Sequence, residues 1–238
     1  MRQLVLDIQP SGPPTLDDFV VGRNAEVLAA LRQWTKGMGE RFIYLWGEPG
    51  AGKTHLLNAV GTEAQLGSQL GSDPARGLTP LNLPPISCDA QTRFMPSDAA
   101  TLRVDNVERL SPEGAVSLFN RYNERREGAG RLLVTGCCAP AQLPLLPDLA
   151  TRLGWGLVLR VHALDDSEKV AALQSRAQHL GVHLPTDAAR YILTRWTRDT
   201  PSLFALMNEL NIWSLSSQRA ITIPLIRDAL TSIQRPAP

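Results

Sequence analysis

Short apolar runs alternate along the chain with longer segments of helical periodicity. Phe42-Ile43-Tyr44-Leu45-Trp46, Thr101-Leu102-Arg103-Val104-Asp105-Asn106, Arg131-Leu132-Leu133-Val134-Thr135-Gly136 and the stretch from Leu157 to Val161 have the length and content of buried strands. Between them, apolar residues recur at helical spacing from Asn24 to Trp34 and from Lys53 to Leu66. A third helix is predicted from Ser111-Pro112-Glu113 to Glu127: a capping serine, a first-turn proline and an early acid start it. Gly37-Met38-Gly39 and Gly128-Ala129-Gly130 mark two of the ends. Strands alternating with helices predict right-handed crossovers and a parallel sheet covered on both faces.

After His162 the strand patterns cease. Asp165-Asp166-Ser167-Glu168 caps a helix that runs to Leu180 and stops at Gly181. Thr186-Asp187 opens a second, Thr200-Pro201 a third that reaches Ser216, and Ile221-Thr222-Ile223-Pro224 precedes a last short one. The fold class is therefore α/β with a small all-helical domain behind it. The expected divisions are 1–14, a tail ending in the linker Pro10-Ser11-Gly12-Pro13-Pro14; 15–162, the sheet domain; and 163–238, the helical lid. Residues 67–100, rich in Gly, Pro and Ser, offer only a weak strand over 80–87, and a Pro-rich loop precedes Leu157.

The junction of the first strand and second helix carries the chemistry. Gly47-Glu48-Pro49-Gly50-Ala51-Gly52-Lys53-Thr54 is G-x-x-x-x-G-K-T, followed by His55, between a buried strand and a helix. Glycines there let backbone N–H groups close around phosphate oxygens, and the helix N-terminus adds its positive dipole end. Lys53 would reach the terminal phosphates, and the Thr54 hydroxyl would ligate Mg²⁺. Asp105 ends a strand about fifty residues later, where such proteins place the acid that holds the metal. Asn106 follows it; an amide can hydrogen-bond water but cannot act as its base, so hydrolysis in this site should be slow.

Arg152 lies in Thr151-Arg152-Leu153-Gly154-Trp155-Gly156 at the edge of the sheet domain. It reads either as an arginine offered to a neighbouring subunit's γ-phosphate or as a surface arginine in an ion pair. Gln3-Leu4-Val5-Leu6-Asp7-Ile8 is a linker-tethered extended peptide. It suits a partner's pockets through Gln3, Leu4, Leu6 and Ile8, or an edge strand on the protein's own sheet. His55, His162, His179 and His183 lack the neighbours of a nucleophilic triad, and Arg121, Arg125 and Arg126 read as a solvated helix face.

Composition narrows the classes. A net charge of +1 with 20% charged residues supplies no general field for nucleic acid. Cys88, Cys137 and Cys138 show neither disulfide nor zinc spacing, which implies a reducing compartment. No run is long enough to span a bilayer, and the N-terminus lacks the features of a signal peptide. A cytoplasmic protein with no membrane partner is expected.

Together these residues resemble the AAA+ ATPases, and within them the DnaA-related group. Thr15–Asn24 is similar to that group's nucleotide-base motif, which implies base contacts from Val20 and Val21. Leu102–Asn106 resembles its second Walker motif, Leu132–Gly136 its sensor 1 strand, and Leu146–Gly156 its arginine-finger box. The Gln-Leu-x-Leu-x-Ile of the tail resembles the sliding-clamp motif of the regulatory inactivators of DnaA, the Hda family. The chain also closes after the lid, without the helix-turn-helix domain with which DnaA continues, so direct sequence-specific DNA binding is not expected.

The resemblance implies a P-loop AAA+ domain holding an adenine nucleotide, ADP with ATP as the alternative, and Mg²⁺ on Thr54 and Asp105. It implies two partners, DnaA and the β subunit sliding clamp of DNA polymerase, and leaves a homodimer open. Arg152 would act in trans on DnaA-bound ATP, preventing re-initiation of replication. The rival expectation is a helicase-loader or adaptor ATPase of the same fold with its own hydrolytic cycle; a small-molecule P-loop kinase would need an acceptor pocket that the sequence does not show. Three positions depart from the group's pattern: Cys137 stands where sensor 1 usually carries Asp, Pro201 where the sensor 2 arginine would open its helix, and Asn106 where a second acid would stand.

Overall fold

A computed structural model describes residues 13–69, 85–93, 95, 101–197 and 199–233, and for 64–69, 201 and 233 the backbone alone. The predicted contact peptide Gln3–Ile8 lies outside these residues, as does most of 67–100. The chain divides into two compact units between Ala163 and Leu164.

The first unit is a parallel sheet of β1 (Phe42–Trp46), β2 (Ile86–Ser87), β3 (Thr101–Asp105), β4 (Arg131–Gly136) and β5 (Leu157–Arg160), in the order β2-β3-β4-β1-β5. Alternation along each strand assigns the faces. Ile43, Leu45, Leu133 and Leu159 pack with α1 (Ala25–Thr35) and α2 (Lys53–Gln69) on one side. Tyr44, Leu102, Val104, Leu132 and Val134 pack with α3 (Pro112–Glu127) and α4 (Pro147–Leu153) on the other. Both faces being covered explains why β4 is buried from end to end and reads as a continuous apolar run.

The predicted helices and strands occur with ends shifted by at most three residues, except that of the weak strand over 80–87 the described residues show only Ile86–Ser87. Asn24 precedes α1 rather than beginning it, and its side chain makes no cap bond there. The departure that matters is α4, where the prolines predict only a loop. Pro147 occupies the first turn, where its missing N–H leaves no bond unmade, and Leu149 and Leu153 bury one short face.

The second unit contains α5 (Asp166–His179), α6 (Thr186–Arg195), α7 (Thr200–Ser217) and α8 (Ile223–Ile233). Leu173, Ala177, Ile192, Leu206, Met207, Leu210 and Ile226 form its core. Asp165 and Glu168 complete a reciprocal capping box on α5. Asp199 caps α7, accepting from the Ser202 N–H at 2.9 Å, and Pro201 lies in that helix's first turn. No helix among the described residues is long and apolar enough to cross a membrane.

Candidate functional site

Ligands of open parallel sheets bind at the carboxyl ends of the strands, near the point where strand order reverses. Here the loops after β1, β3 and β4 meet at that edge. Gly47 leaves β1 against the Val161 carbonyl, so close that a Cβ would stand 2.2 Å from its oxygen. Gly52, at φ +95°, adopts a conformation closed to other residues and lies under the Phe19 ring. Glu48, Pro49, Gly50 and Ala51 complete the turn between them, with the Ala51 N–H donating to the Glu48 carbonyl at 3.2 Å.

Lys53 is buried at the start of α2, and its Nζ donates to the carbonyls of Gly47 at 2.7 Å and Glu48 at 3.0 Å. Burial pushes its pKa below the usual 10.5, while Glu108, Asp105 and Cys137 pull the other way. A cation held inside the loop by two carbonyls, with no carboxylate among the described residues bonded to it, suits the oxygens of a phosphate.

Thr54 Oγ1 donates to Asp105 Oδ2 at 2.7 Å. Thr135 Oγ1 donates to Asp105 Oδ1 and accepts the Asn106 N–H at 3.1 Å. Both oxygens of this buried carboxylate are thus fixed by hydroxyls, and a hydroxyl and a carboxylate side by side form a hard-oxygen pair that fits Mg²⁺. Asn106 has left-handed backbone angles, φ 57° and ψ 51°, a conformation that asparagine tolerates.

Two site residues escaped the sequence reading. Thr135 is the one hydroxyl in a buried apolar strand, which is the signal that could have found it. Glu108 lies in the turn after β3, three residues past Asp105, and its Oε2 accepts the Cys137 N–H at 3.2 Å. The carboxylate therefore spans the ends of β3 and β4, at the edge where Lys53 also lies. Cys137 itself is exposed. Tyr44 donates to the Cys138 carbonyl at 2.8 Å, bracing the same loop from beneath.

Thr15–Asn24 lies along α2. Phe19 packs on His55 with ring centroids 5.9 Å apart, His55 Nε2 is 3.2 Å from the Thr15 carbonyl oxygen, and the Leu16 N–H donates to Glu63 at 3.2 Å. Buried Asn24 makes two bonds to the His162 backbone, donating to its carbonyl at 2.9 Å and accepting its N–H at 2.7 Å. Val20 is half-buried and Val21 exposed beside this anchor.

Arg152 occupies the last turn of α4. Among the described residues it makes no ion pair. Instead its guanidinium carbon lies 4.1 Å from the Trp155 ring centroid and 5.5 Å from that of Phe119, and Arg126 lies 4.4 Å from the Trp155 centroid. The ion pair of the alternative reading is not formed among the described residues. Exposed Arg126 joins this aromatic cluster, while Arg125 is buried, so Arg121, Arg125 and Arg126 do not form the single solvated face that was expected.

Residues 166–230 match the family model described as the Hda lid domain. The chain is similar in fold to domain III of the replication initiation protein DnaA of Thermotoga maritima, at 18% identity and a TM-score of 0.66. That likeness covers 93% of this chain and 97% of that one. AMPPCP-bound DnaA of Aquifex aeolicus is 19% identical, with 86% and 67% of the two chains covered and a TM-score of 0.65. The RuvB Holliday junction branch migration motor of Thermotoga maritima is 16% identical, with 92% and 72% covered and a TM-score of 0.62. The first unit and the helices behind it thus share the fold of DnaA domain III, an AAA+-like α/β core with a separate all-helical unit, and that helical unit coincides with the match to the Hda lid model.

Proposed function

We propose that this DnaA-like AAA+ chain with an Hda-type lid regulates replication initiation by promoting hydrolysis of DnaA-bound ATP in trans. One observation carries the reading: Arg152, in the last turn of α4, is seated on aromatic rings with no carboxylate paired to its charge among the described residues. The phosphoryl-transfer transition state spreads negative charge over the γ-phosphate oxygens, and a planar guanidinium meets it with forked donors. In this reading Arg152 supplies those donors to the ATP of a neighbouring DnaA subunit.

The chain's own nucleotide serves mainly as a structural ligand. Lys53 and the loop glycines would hold its phosphates, Thr54 and Asp105 its Mg²⁺, and Val20 and Val21 its base. When bound, the metal would neutralise phosphate charge. Asn106 lacks a useful proton affinity, and Glu108 places a further negative charge at the edge shared with Lys53, which favours a diphosphate over a triphosphate. The tail peptide Gln3–Ile8 would dock on the sliding clamp, bringing Arg152 to DnaA on newly replicated DNA in the cytoplasm.

Turnover of DnaA-bound ATP, in the presence of clamp loaded on DNA, tests the proposal. The intact chain should stimulate it. Arg152→Ala should lose the effect, since such an arginine is typically worth about 10³–10⁵-fold in rate. Deletion of residues 1–10 should abolish clamp dependence and clamp binding. Full stimulation by Arg152→Ala would refute donation of this arginine. A Lys53-dependent turnover of about 1 per second or more by the chain alone would favour the helicase-loader alternative.

A further inference from the structure

We propose that Trp155 is a positioning residue for Arg152, holding its guanidinium plane so that the N–H donors stay turned outward; the proposal rests on the trans role of Arg152 given above. Trp155 follows Arg152 by three residues, past the α4 cap at Gly154, and the short helix end brings the indole under the guanidinium at 4.1 Å. A ring engages the face of a guanidinium and leaves the edge donors free, whereas a carboxylate would consume them.

Three observations separate this from ordinary packing. The indole is 52% exposed, so its apolar area is not needed to fill the core. It carries two guanidiniums, those of Arg152 and Arg126, whose like charges oppose their approach and would part them in water. Phe119, from α3, bounds Arg152 from a second direction at 5.5 Å. An unheld arginine samples many rotamers, and ordering it upon contact would subtract from the rate it can deliver. The aromatic seat pre-orders the side chain without quenching its charge.

The test compares Trp155→Phe, Trp155→Leu and Trp155→Ala with Arg152→Ala in stimulation of DnaA-bound ATP turnover, as a function of chain concentration. Leu and Ala should lower the maximal stimulated rate about three- to thirtyfold, the range spanned by cation–π contacts from exposed to desolvated sites. The half-saturating concentration should change little, and Phe should restore most of the rate, because it keeps a π face that Leu lacks. In the free protein, the Arg152 side-chain NMR signals should show a ring-current shift that largely survives Trp155→Phe and falls in Trp155→Leu to the smaller part that Phe119 contributes. Full activity of Trp155→Leu, with Arg152→Ala inactive, would overturn the positioning role alone. A raised half-saturating concentration at unchanged maximal rate would overturn it too, making the indole a docking contact. Full activity of Arg152→Ala would instead remove the trans reading, and this proposal with it.

Discussion

Replacing Thr135 by valine removes one hydroxyl at nearly constant volume, and the structure says what that hydroxyl does. It donates to Asp105 Oδ1 and accepts the Asn106 N–H at 3.1 Å, inside a strand where Thr135 has no exposed surface. A hydrogen bond to a charged group contributes about 1.5–3 kcal/mol, and a donor left without its acceptor costs about 1–3 kcal/mol. Asn106 is half-buried, so water can recover part of the second amount. The net loss should be about 2–4 kcal/mol. For a chain of this size that lowers the thermal midpoint by roughly 4–16 °C.

Its functional effect should exceed its effect on stability. Asp105 would keep the Thr54 bond at 2.7 Å but lose the restraint on its other oxygen, so the carboxylate could turn away from the metal position. Partners that orient a metal ligand are worth about 10–100-fold in affinity. Fluorescent-ADP titrations at several Mg²⁺ concentrations should therefore show the Mg²⁺-dependent part of binding weakened by about tenfold or more, with Thr135→Ser near the parent. A valine variant that melts within about 1 °C of the parent and keeps its Mg²⁺ dependence would refute the assignment of Thr135 to this network.

Other outcomes follow from local geometry. Asp199→Ala should cost about 1 kcal/mol of lid stability and speed hydrogen exchange at the Ser202 amide, with Asp199→Asn far milder. The Ser202 N–H holds the Asp199 carboxyl below its ordinary 3.8, so this cap's contribution is complete above that pH and is lost as pH falls through the lower folded value. Timed alkylation at pH 8 should mark exposed Cys137 first. Cys138, pushed up to about 11, and Cys88, buried and pushed up to about 12, should lag, with Cys88 reacting only on unfolding. Peptide mass spectrometry reads that order, and equal rates at Cys88 and Cys137 would contradict it.

The parts legible in the sequence are those written in local pattern. The loop from Gly47 to Thr54 and the strands beside it combine spacing and apolar content that a packed core requires, and the first lid helix announces its cap at Asp165. Helix α4 was not legible. Seven residues are too few to establish a 3.6-residue period, and Pro147 reads as a breaker until its place in the first turn is known. Contacts between distant segments were equally hidden. Nothing in the sequence pairs Phe119 with Arg152, Glu108 with the Cys137 amide, or Asn24 with the His162 backbone. Each depends on which strands and helices become neighbours, and tertiary packing alone decides that.

The residues hardest to foresee share a physical logic. Asp105 and Arg152 are the two charges on which the proposed chemistry rests, and each is held by neutral groups. Two hydroxyls fix the carboxylate, and two aromatic rings seat the guanidinium. An opposite charge would hold either more strongly, but it would have to be displaced before a metal or phosphate could take its place, and breaking a partly buried pair leaves a charge uncompensated. Hydroxyls and rings restrain direction while leaving the charge available, so less must be undone when a ligand or partner arrives. Replacing Thr135 and Trp155 therefore probes the same principle at two sites: each substitution should disturb the aim of a charge while leaving its sign and position in the sequence unchanged.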